Sequence, residues 1–161
     1  MRRGRIKVSS EGGEAVYHCI SRVVNGERVM DAGAREVLRK QLWQTAEYCG
    51  VQIQTYAILS NHFHVLVRVP QKRALSDEEL LRRYRLLHTK PTRYQTQRLE
   101  VIEAWLKQGN REGEVWREGQ REQMNDVSWF MKLVKQRFTI WYNKTHGRYG
   151  TLWAERFKSM L

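Results

Sequence analysis

The sequence predicts an α+β fold of the ferredoxin-like type, in which helices pack on one face of an antiparallel sheet. Strand and helix patterns alternate in the order strand, helix, strand, strand, followed by further helices and a last strand. The length of 161 residues suits one domain with one core. Hydrophobic residues make up 41% of the chain, with six Trp and seven Tyr, which is typical of a globular protein. We therefore expect residues 1–161 to form a single domain whose sheet keeps one face for a ligand.

Four segments have the composition of β-strands. Residues 15–24, 51–59 and 62–69 are rich in Ile, Val and aromatic residues and are separated by turn-forming residues. Ser60-Asn61 is short enough to join the second and third strands directly as a hairpin. Residues 151–160 are the expected last strand.

Helices are expected between these strands. Asp31 is a candidate N-cap for a helix that runs to about Tyr48, just before Gly50. Asp126 is a candidate N-cap for the longest helix, which extends to about Lys144 with apolar residues at intervals of three and four. The region from about residue 75 to 125 is predicted as a helical elaboration after the third strand. Within it we expect helices at 76–88, after the capping-box pattern Ser-Asp-Glu-Glu, and at 99–107.

Two histidines in the third strand are the most informative feature of the sequence. His62 and His64 are separated by Phe63, and residues two apart on a strand project from the same face. Two neutral imidazoles placed in this way can bind one divalent metal ion. A pair of exposed histidines that fill polar strand positions is the alternative.

The charge of the chain favours a polyanionic partner. There are 29 Lys and Arg against 17 Asp and Glu, so the net charge is +12 and the pI is about 10.1. This surplus favours nucleic acid, although a basic protein whose charge serves solubility is the alternative. No apolar stretch approaches the roughly 20 residues that span a bilayer, and the amino terminus lacks the apolar segment of a signal peptide. We expect no membrane attachment, a cytoplasmic location, and Cys19 and Cys49 as reduced, buried residues.

Two motifs in the expected order resemble the REP-associated tyrosine transposases, which belong to the single-strand transposases with a His-hydrophobe-His motif. The first combines Tyr17-His-Cys-Ile-Ser-Arg22 with Ile58-Leu-Ser-Asn-His-Phe-His-Val-Leu-Val67. The second is Gly147-Arg-Tyr-Gly-Thr-Leu-Trp-Ala-Glu-Arg-Phe-Lys-Ser159, which follows a helix that ends in Phe-Thr-Ile-Trp-Tyr-Asn143. The matches bracket the chain apart from the elaboration.

The resemblance implies metal-assisted cleavage and rejoining of single-stranded or hairpin DNA. It implies that His62 and His64 bind Mg²⁺ or Mn²⁺, which polarises the scissile phosphate. A tyrosine then attacks the phosphorus and forms a covalent 5′-phosphotyrosine link that conserves the bond for rejoining. A homodimer is among the expected assemblies.

The chain departs from the family pattern at the nucleophile. In the family the catalytic Tyr lies on a helix after the Arg-Phe-Lys-Ser segment, with an Asn or Gln metal ligand one helical turn later. Here the sequence stops at Leu161, so we expect that this helix is missing from a truncated chain, lost, or supplied by another copy. Tyr142, on the longest helix, is the stand-in to test, although a packing or DNA-facing role is the stronger expectation for it. Tyr84 and Tyr94 are weaker substitutes.

Contacts with DNA are expected from cations and one aromatic residue. Trp153 lies among cations of the second motif and is a candidate for stacking on an unpaired base, with a core position as the alternative. Three residues of the longest helix lie off its apolar stripe and face solvent or a ligand. Arg2, Arg3 and Arg5 are candidates for an arm that reads hairpin DNA. The phosphate-binding candidates are Arg22, Lys132, Lys135, Arg137, Arg148, Arg156 and Lys158.

Two other functions remain open at this point. One is a catalytically inactive or domesticated module that binds single-stranded or hairpin DNA, or RNA, on the same fold. The other is a replication-initiator or relaxase-type nicking enzyme, which shares the histidine pair and also needs a nucleophilic tyrosine.

Overall fold

A computed structural model describes residues 13–154 and 157–160 and shows a four-stranded antiparallel sheet with five α-helices. The strands are β1 (Ala15–Arg22), β2 (Gln52–Ile58), β3 (His62–Val69) and β4 (Lys158–Met160). The helices are α1 (Ala32–Cys49), α2 (Asp77–Leu86), α3 (Arg93–Gln108), α4 (Arg111–Gln123) and α5 (Val127–His146). The strand order β2-β3-β1-β4 is that of a split β-α-β unit, so the predicted ferredoxin-like α+β class is confirmed.

The central strands β1 and β3 divide their residues between two faces of the sheet. On β3, Phe63, Val65 and Val67 are fully buried, whereas His62 and His64 are partly exposed. We call the buried side the covered face and the side with the two histidines the open face. On β1, the residues of the covered face are Tyr17, Cys19 and Ser21, and those of the open face are His18, Ile20 and Arg22.

Helices α1 and α5 cover one face of the sheet because each presents an apolar stripe to it. The Asp31 side chain accepts a hydrogen bond from the Ala34 backbone N–H, and Gly50 ends α1 in the left-handed conformation with φ of 70°. Asp126 caps α5 in the same way, through the Trp129 N–H. Both caps were predicted. Leu38 and Leu42 of α1 are fully buried, as are the α5 residues Phe130, Val134 and Phe138.

The elaboration consists of helices α2, α3 and α4 joined by short connections, with more helix than the sequence pattern indicated. Helix α3 begins at Arg93, six residues before the expected start at Leu99, because Thr92 and Gln95 form a reciprocal capping box. Helix α4 was not predicted, since it is polar and buries few side chains. It packs closely on α3 at Gly113, where an added Cβ would lie 2.8 Å from the Trp105 carbonyl oxygen. Salt-bridging hydrogen bonds of 2.6 and 2.8 Å from Arg117 to Asp77 join α4 to α2.

The last strand is shorter than the predicted span of residues 151–160. Within the described part of residues 151–160, the sheet contacts are β4, which pairs with β1, and an isolated bridge between Val23 and Trp153. Cys19 and Cys49 are both buried and are not joined in a disulfide, as expected. No helix within residues 13–154 and 157–160 is both long and apolar enough to cross a bilayer.

Candidate metal and DNA site on the open face

His62 and His64 lie side by side on the open face of a central strand. Their ring centroids are 5.1 Å apart with an interplanar angle of 70°, and both residues are partly exposed. The strand alternation that buries Phe63 between them produces this arrangement, as the sequence predicted. The two imidazoles are therefore available to one ligand from solvent.

The turn before β3 fixes the ring of His62. The Nδ1 atom of His62 lies 2.8 Å from the Oδ1 atom of Asn61. The amide of Asn61 is itself oriented, because its Nδ2 donates to the carbonyl oxygen of Gly26 at 3.3 Å. Its Oδ1 therefore accepts from the Nδ1–H of His62, and the lone pair of His62 Nε2 points away from this contact. A ring N–H donated to a carbonyl oxygen is the usual support of a metal-ligating histidine.

A third histidine, His18 on β1, completes a cluster that the sequence analysis did not identify. Its Nε2 lies 3.0 Å from Nδ1 of His64, and the two rings are near-parallel with centroids 5.2 Å apart and an interplanar angle of 22°. His18 lies within the first motif, where no sequence signal marks it as a site residue. The alternation of β1 could have placed it on the open face, but the register that brings it beside His64 is not visible in the sequence.

Burial and neighbouring basic groups both disfavour protonation of His64. Burial is the main cause that lowers the pKa of His64, and the neighbouring His62, His18 and Arg22 lower it further. Arg22 pairs with His62 in the β1–β3 register, so the two residues are direct cross-strand neighbours. A neutral His64 keeps a lone pair for a metal ion.

Lys158 extends the cationic surface across the sheet. It pairs with Ile20 on β1, which in turn pairs with His64 on β3. Cross-strand partners share a face, so Lys158 and His64 lie in one row on the open face. Two of the predicted phosphate contacts, Arg22 and Lys158, are thus on the same face as the histidine pair.

The histidine pair fits a divalent ion as a two-ligand site. The described part of the chain contains no group of three or more His, Cys, Asp or Glu placed to hold a metal ion. Mg²⁺ and Mn²⁺ accept oxygen ligands, and Mg²⁺ usually keeps several waters and binds substrate phosphates. Oxygen atoms of a bound phosphate and of water would complete such a coordination sphere.

The two aromatic candidates lie on the covered side of the sheet. Tyr142 is buried in the core and stacks on His146, with ring centroids 4.0 Å apart, and on Phe138. It therefore faces away from the histidine pair, in the packing role that the sequence analysis favoured.

The prediction that Trp153 stacks on a base disagrees with its position. Its side chain is only 7% exposed and packs edge-on against Phe63, and its indole N–H donates to the carbonyl oxygen of Lys135 at 3.1 Å. A ring held in this way has no free face for a base, and its position is that of the core alternative.

The basic residues outside the open face have different surroundings. Arg137 was expected to face solvent or a ligand, but it donates to Thr45, Gln44 and the carbonyl of Leu87 at 3.1 to 3.3 Å and joins α5 to α1. Burial lowers its pKa.

The remaining predicted contacts are scattered. The Nζ atoms of Lys132 and Lys135 lie 4.4 Å and 5.9 Å from the ring centroids of Trp129 and Trp153, and the guanidinium of Arg148 closes its own loop by donating to Thr151 O at 3.0 Å. Arg156 and the arm of Arg2, Arg3 and Arg5 lie outside the described residues.

Comparison with known proteins identifies the class of protein that this fold and site define. The family described as "Transposase IS200 like" matches residues 13–107, which extend from β1 to α3 and include His18, His62 and His64. This match covers more than half of the chain, so the protein belongs to the IS200-like transposase family.

Eight chains of solved structure also match. One is the 1.90 Å crystal structure of a "putative transposase" from Deinococcus radiodurans, with 19% sequence identity and a TM-score of 0.35. The match covers 56% of this chain and 70% of that one. No curated protein matches the chain.

Proposed function

We propose that the open face of the sheet binds single-stranded or hairpin DNA and positions a scissile phosphate for metal-assisted cleavage and rejoining through a 5′-phosphotyrosine. The observation that carries this proposal is the pair of adjacent, partly exposed imidazoles with Arg22 as the cross-strand neighbour of His62. Family membership makes DNA the expected substrate.

Four residues of the open face have a task in this proposal. His62 and His64 would hold Mg²⁺ or Mn²⁺ through Nε2, and such an ion would supply Lewis-acid polarisation of the scissile phosphate. Arg22 on β1 and Lys158 on β4, both on the same side of the pair, bind phosphate oxygens and fix the path of the strand. Their positive charges also stabilise the negative charge that grows on the phosphate oxygens.

The covalent step requires a tyrosine on the open face. The phenolate oxygen forms a bond to phosphorus, the bond from phosphorus to the 3′ oxygen breaks, and the released 3′ oxygen takes a proton. Reversal of this step rejoins the strand, because a phenolate is a better leaving group than an alkoxide. Tyr142 does not meet this requirement from its buried position behind the sheet.

A hairpin DNA labelled at its 5′ and 3′ ends in separate preparations tests the proposal. With Mn²⁺ we expect a denaturation-resistant adduct that retains the 3′ label, while the 5′-labelled fragment is released. His62→Ala and His64→Ala should remove the adduct, and His146→Ala, a histidine at the exposed end of α5, is the matched control that should keep it. An adduct that survives His62→Ala would contradict the proposal.

A DNA-binding module without cleavage is the second candidate, and the burial of Tyr142 on the covered side favours it. This candidate predicts hairpin binding that is intact in Tyr142→Phe and no adduct under any metal condition. An adduct that Tyr142→Phe abolishes would show that our placement of the nucleophile is wrong. One that survives Tyr142→Phe and not His62→Ala would assign the chemistry to another tyrosine.

A further inference from the structure

We propose that His18 is a positioning residue for the metal site, because it accepts the Nδ1 proton of His64 and thereby leaves His64 Nε2 free to bind a divalent cation. This inference rests on the proposed function and names a third histidine that acts through His64 without itself binding the ion.

The contact is specific in its geometry. His18 and His64 are diagonal neighbours on the open face, since Ile20 pairs directly with His64 and His18 lies two residues before Ile20 on β1. Their Nε2 and Nδ1 atoms are 3.0 Å apart, which is a hydrogen-bond distance. The two rings are near-parallel, at an interplanar angle of 22° with centroids 5.2 Å apart, so they meet edge to edge as an in-plane N–H···N hydrogen bond requires.

The position of the proton between the two nitrogens determines whether His64 can bind metal through Nε2. If His64 donates from Nδ1, its Nε2 carries a lone pair and can be a ligand. If His18 donates instead, a neutral His64 carries its proton on Nε2 and cannot bind the ion. Metal binding through His64 Nε2 therefore requires His18 to be the acceptor.

The neighbouring contact of His62 shows the same arrangement with a different acceptor. The Nδ1 atom of His62 is 2.8 Å from the side-chain Oδ1 of Asn61, and the Asn61 amide is oriented by its hydrogen bond to the Gly26 carbonyl oxygen. Each imidazole of the pair thus has a separate acceptor on Nδ1, from the hairpin turn for His62 and from β1 for His64. In this arrangement His18 supports His64 without itself being a ligand, so three adjacent histidines give two metal ligands.

Mn²⁺ titration of the full chain tests the role of His18. His18→Leu removes the acceptor, and we expect Mn²⁺ affinity, measured by calorimetry or by the electron paramagnetic resonance of free Mn²⁺, to fall about 10- to 100-fold. His18→Gln places an amide oxygen near the position of the lost Nε2 and should restore affinity towards that of the wild type. Unchanged affinity in His18→Leu, or equal loss in both variants, would overturn the inference.

The tautomer of His64 provides a second test that needs neither metal nor activity. Long-range ¹⁵N–¹H correlation spectra of the metal-free wild-type chain should show His64 protonated at Nδ1. Protonation at Nε2 would overturn the proposal even if His18→Leu failed to fold. If wild type binds no Mn²⁺ while His64 is protonated at Nδ1, the metal proposal fails and the donor–acceptor assignment stands.

Discussion

The two faces of β3 belong to one eight-residue strand and have opposite chemistry. On the covered face, Phe63, Val65 and Val67 are fully buried beneath α1 and α5. On the open face, His62 and His64 are partly exposed and bonded to polar neighbours at 2.8 and 3.0 Å. One side of the strand therefore stabilises the fold, and the other side carries the candidate site.

This difference teaches that the arrangement of the candidate site depends on the strand register, which packing of the covered face fixes. The register that seats Phe63 opposite Ser21 of β1 also sets His62 opposite Arg22. A slip of one residue would exchange the two faces completely, so burial of the covered face also specifies the open face. Stability and DNA-related activity should consequently respond to different substitutions on the same strand.

The largest expected effect is on the covered face. Phe63→Ala should lower the free energy of unfolding by about 3–5 kcal/mol, because it removes a buried ring that packs against Trp153. Leu66→Ala, on the open face of the same strand and only partly buried, is the matched control and should cost clearly less. Urea denaturation followed by circular dichroism measures both. Equal losses would break the distinction between the faces.

A smaller effect is expected at Trp153, for which the sequence left base stacking and a core position as alternatives. Trp153→Phe removes an indole N–H that donates to Lys135 O and leaves a small gap, so stability should fall by about 1–2 kcal/mol. Hairpin affinity at a temperature where the variant is folded should not change. Anisotropy titration measures that affinity, and a large loss would restore the stacking role.

The cations of the open face should affect binding more than stability. Arg22→Gln and Lys158→Gln should each weaken hairpin binding and reduce the slope of log K against log salt by about 1. Unfolding free energies should stay within about 0.5 kcal/mol of wild type, since both residues are exposed. Arg137→Gln is the contrasting variant because its guanidinium joins helices on the covered side. It should lower stability and leave the salt slope as in wild type.

The smallest expected effect is the contribution of His88 to the pH dependence of the free energy of unfolding. Burial and the nearby Arg137 lower the pKa of His88 from its usual 6.5 in the folded protein. As pH falls through about 6.5, the unfolded chain takes up this proton before the folded chain does, so the free energy of unfolding decreases. In His88→Gln the decrease between pH 7 and pH 5 should be shallower, as measured by urea denaturation at each pH. A slope as steep as that of wild type would show that His88 takes up its proton equally readily in the folded and the unfolded chain.

The sequence was sufficient for the elements that depend on local signals. Asp31, Gly50 and Asp126 mark helix ends through hydrogen bonds and backbone angles that their own residue types favour, and the strand with the His pair was predicted at its observed bounds. Helix α4 was missed because its surface is polar and its stability comes from close packing on α3 and the Arg117–Asp77 contact.

The candidate site was predictable only in part, because some of its geometry is local to one strand and the rest depends on strand pairing. His62 and His64 share a face through the two-residue period of a strand, which is a local property. The positions of His18, Arg22 and Lys158 beside them depend on the pairing of β3 with β1 and of β1 with β4. The sequence pattern left base stacking and a core position open for Trp153 and placed Arg137 off the apolar stripe. The contacts of Trp153 with Phe63 and of Arg137 with Thr45 depend on tertiary packing.

The central position of β3 has a consequence for hydrogen exchange. Its backbone is bonded to β1 along its whole length and to β2 on the other side, whereas β4 pairs through three residues. Amides of β3 should therefore exchange only when the sheet opens as a whole, while those of β4 and the elaboration exchange through local opening. The two imidazoles thus keep their spacing in partly opened forms of the protein, and Lys158 is the member of the site that local fraying would release first.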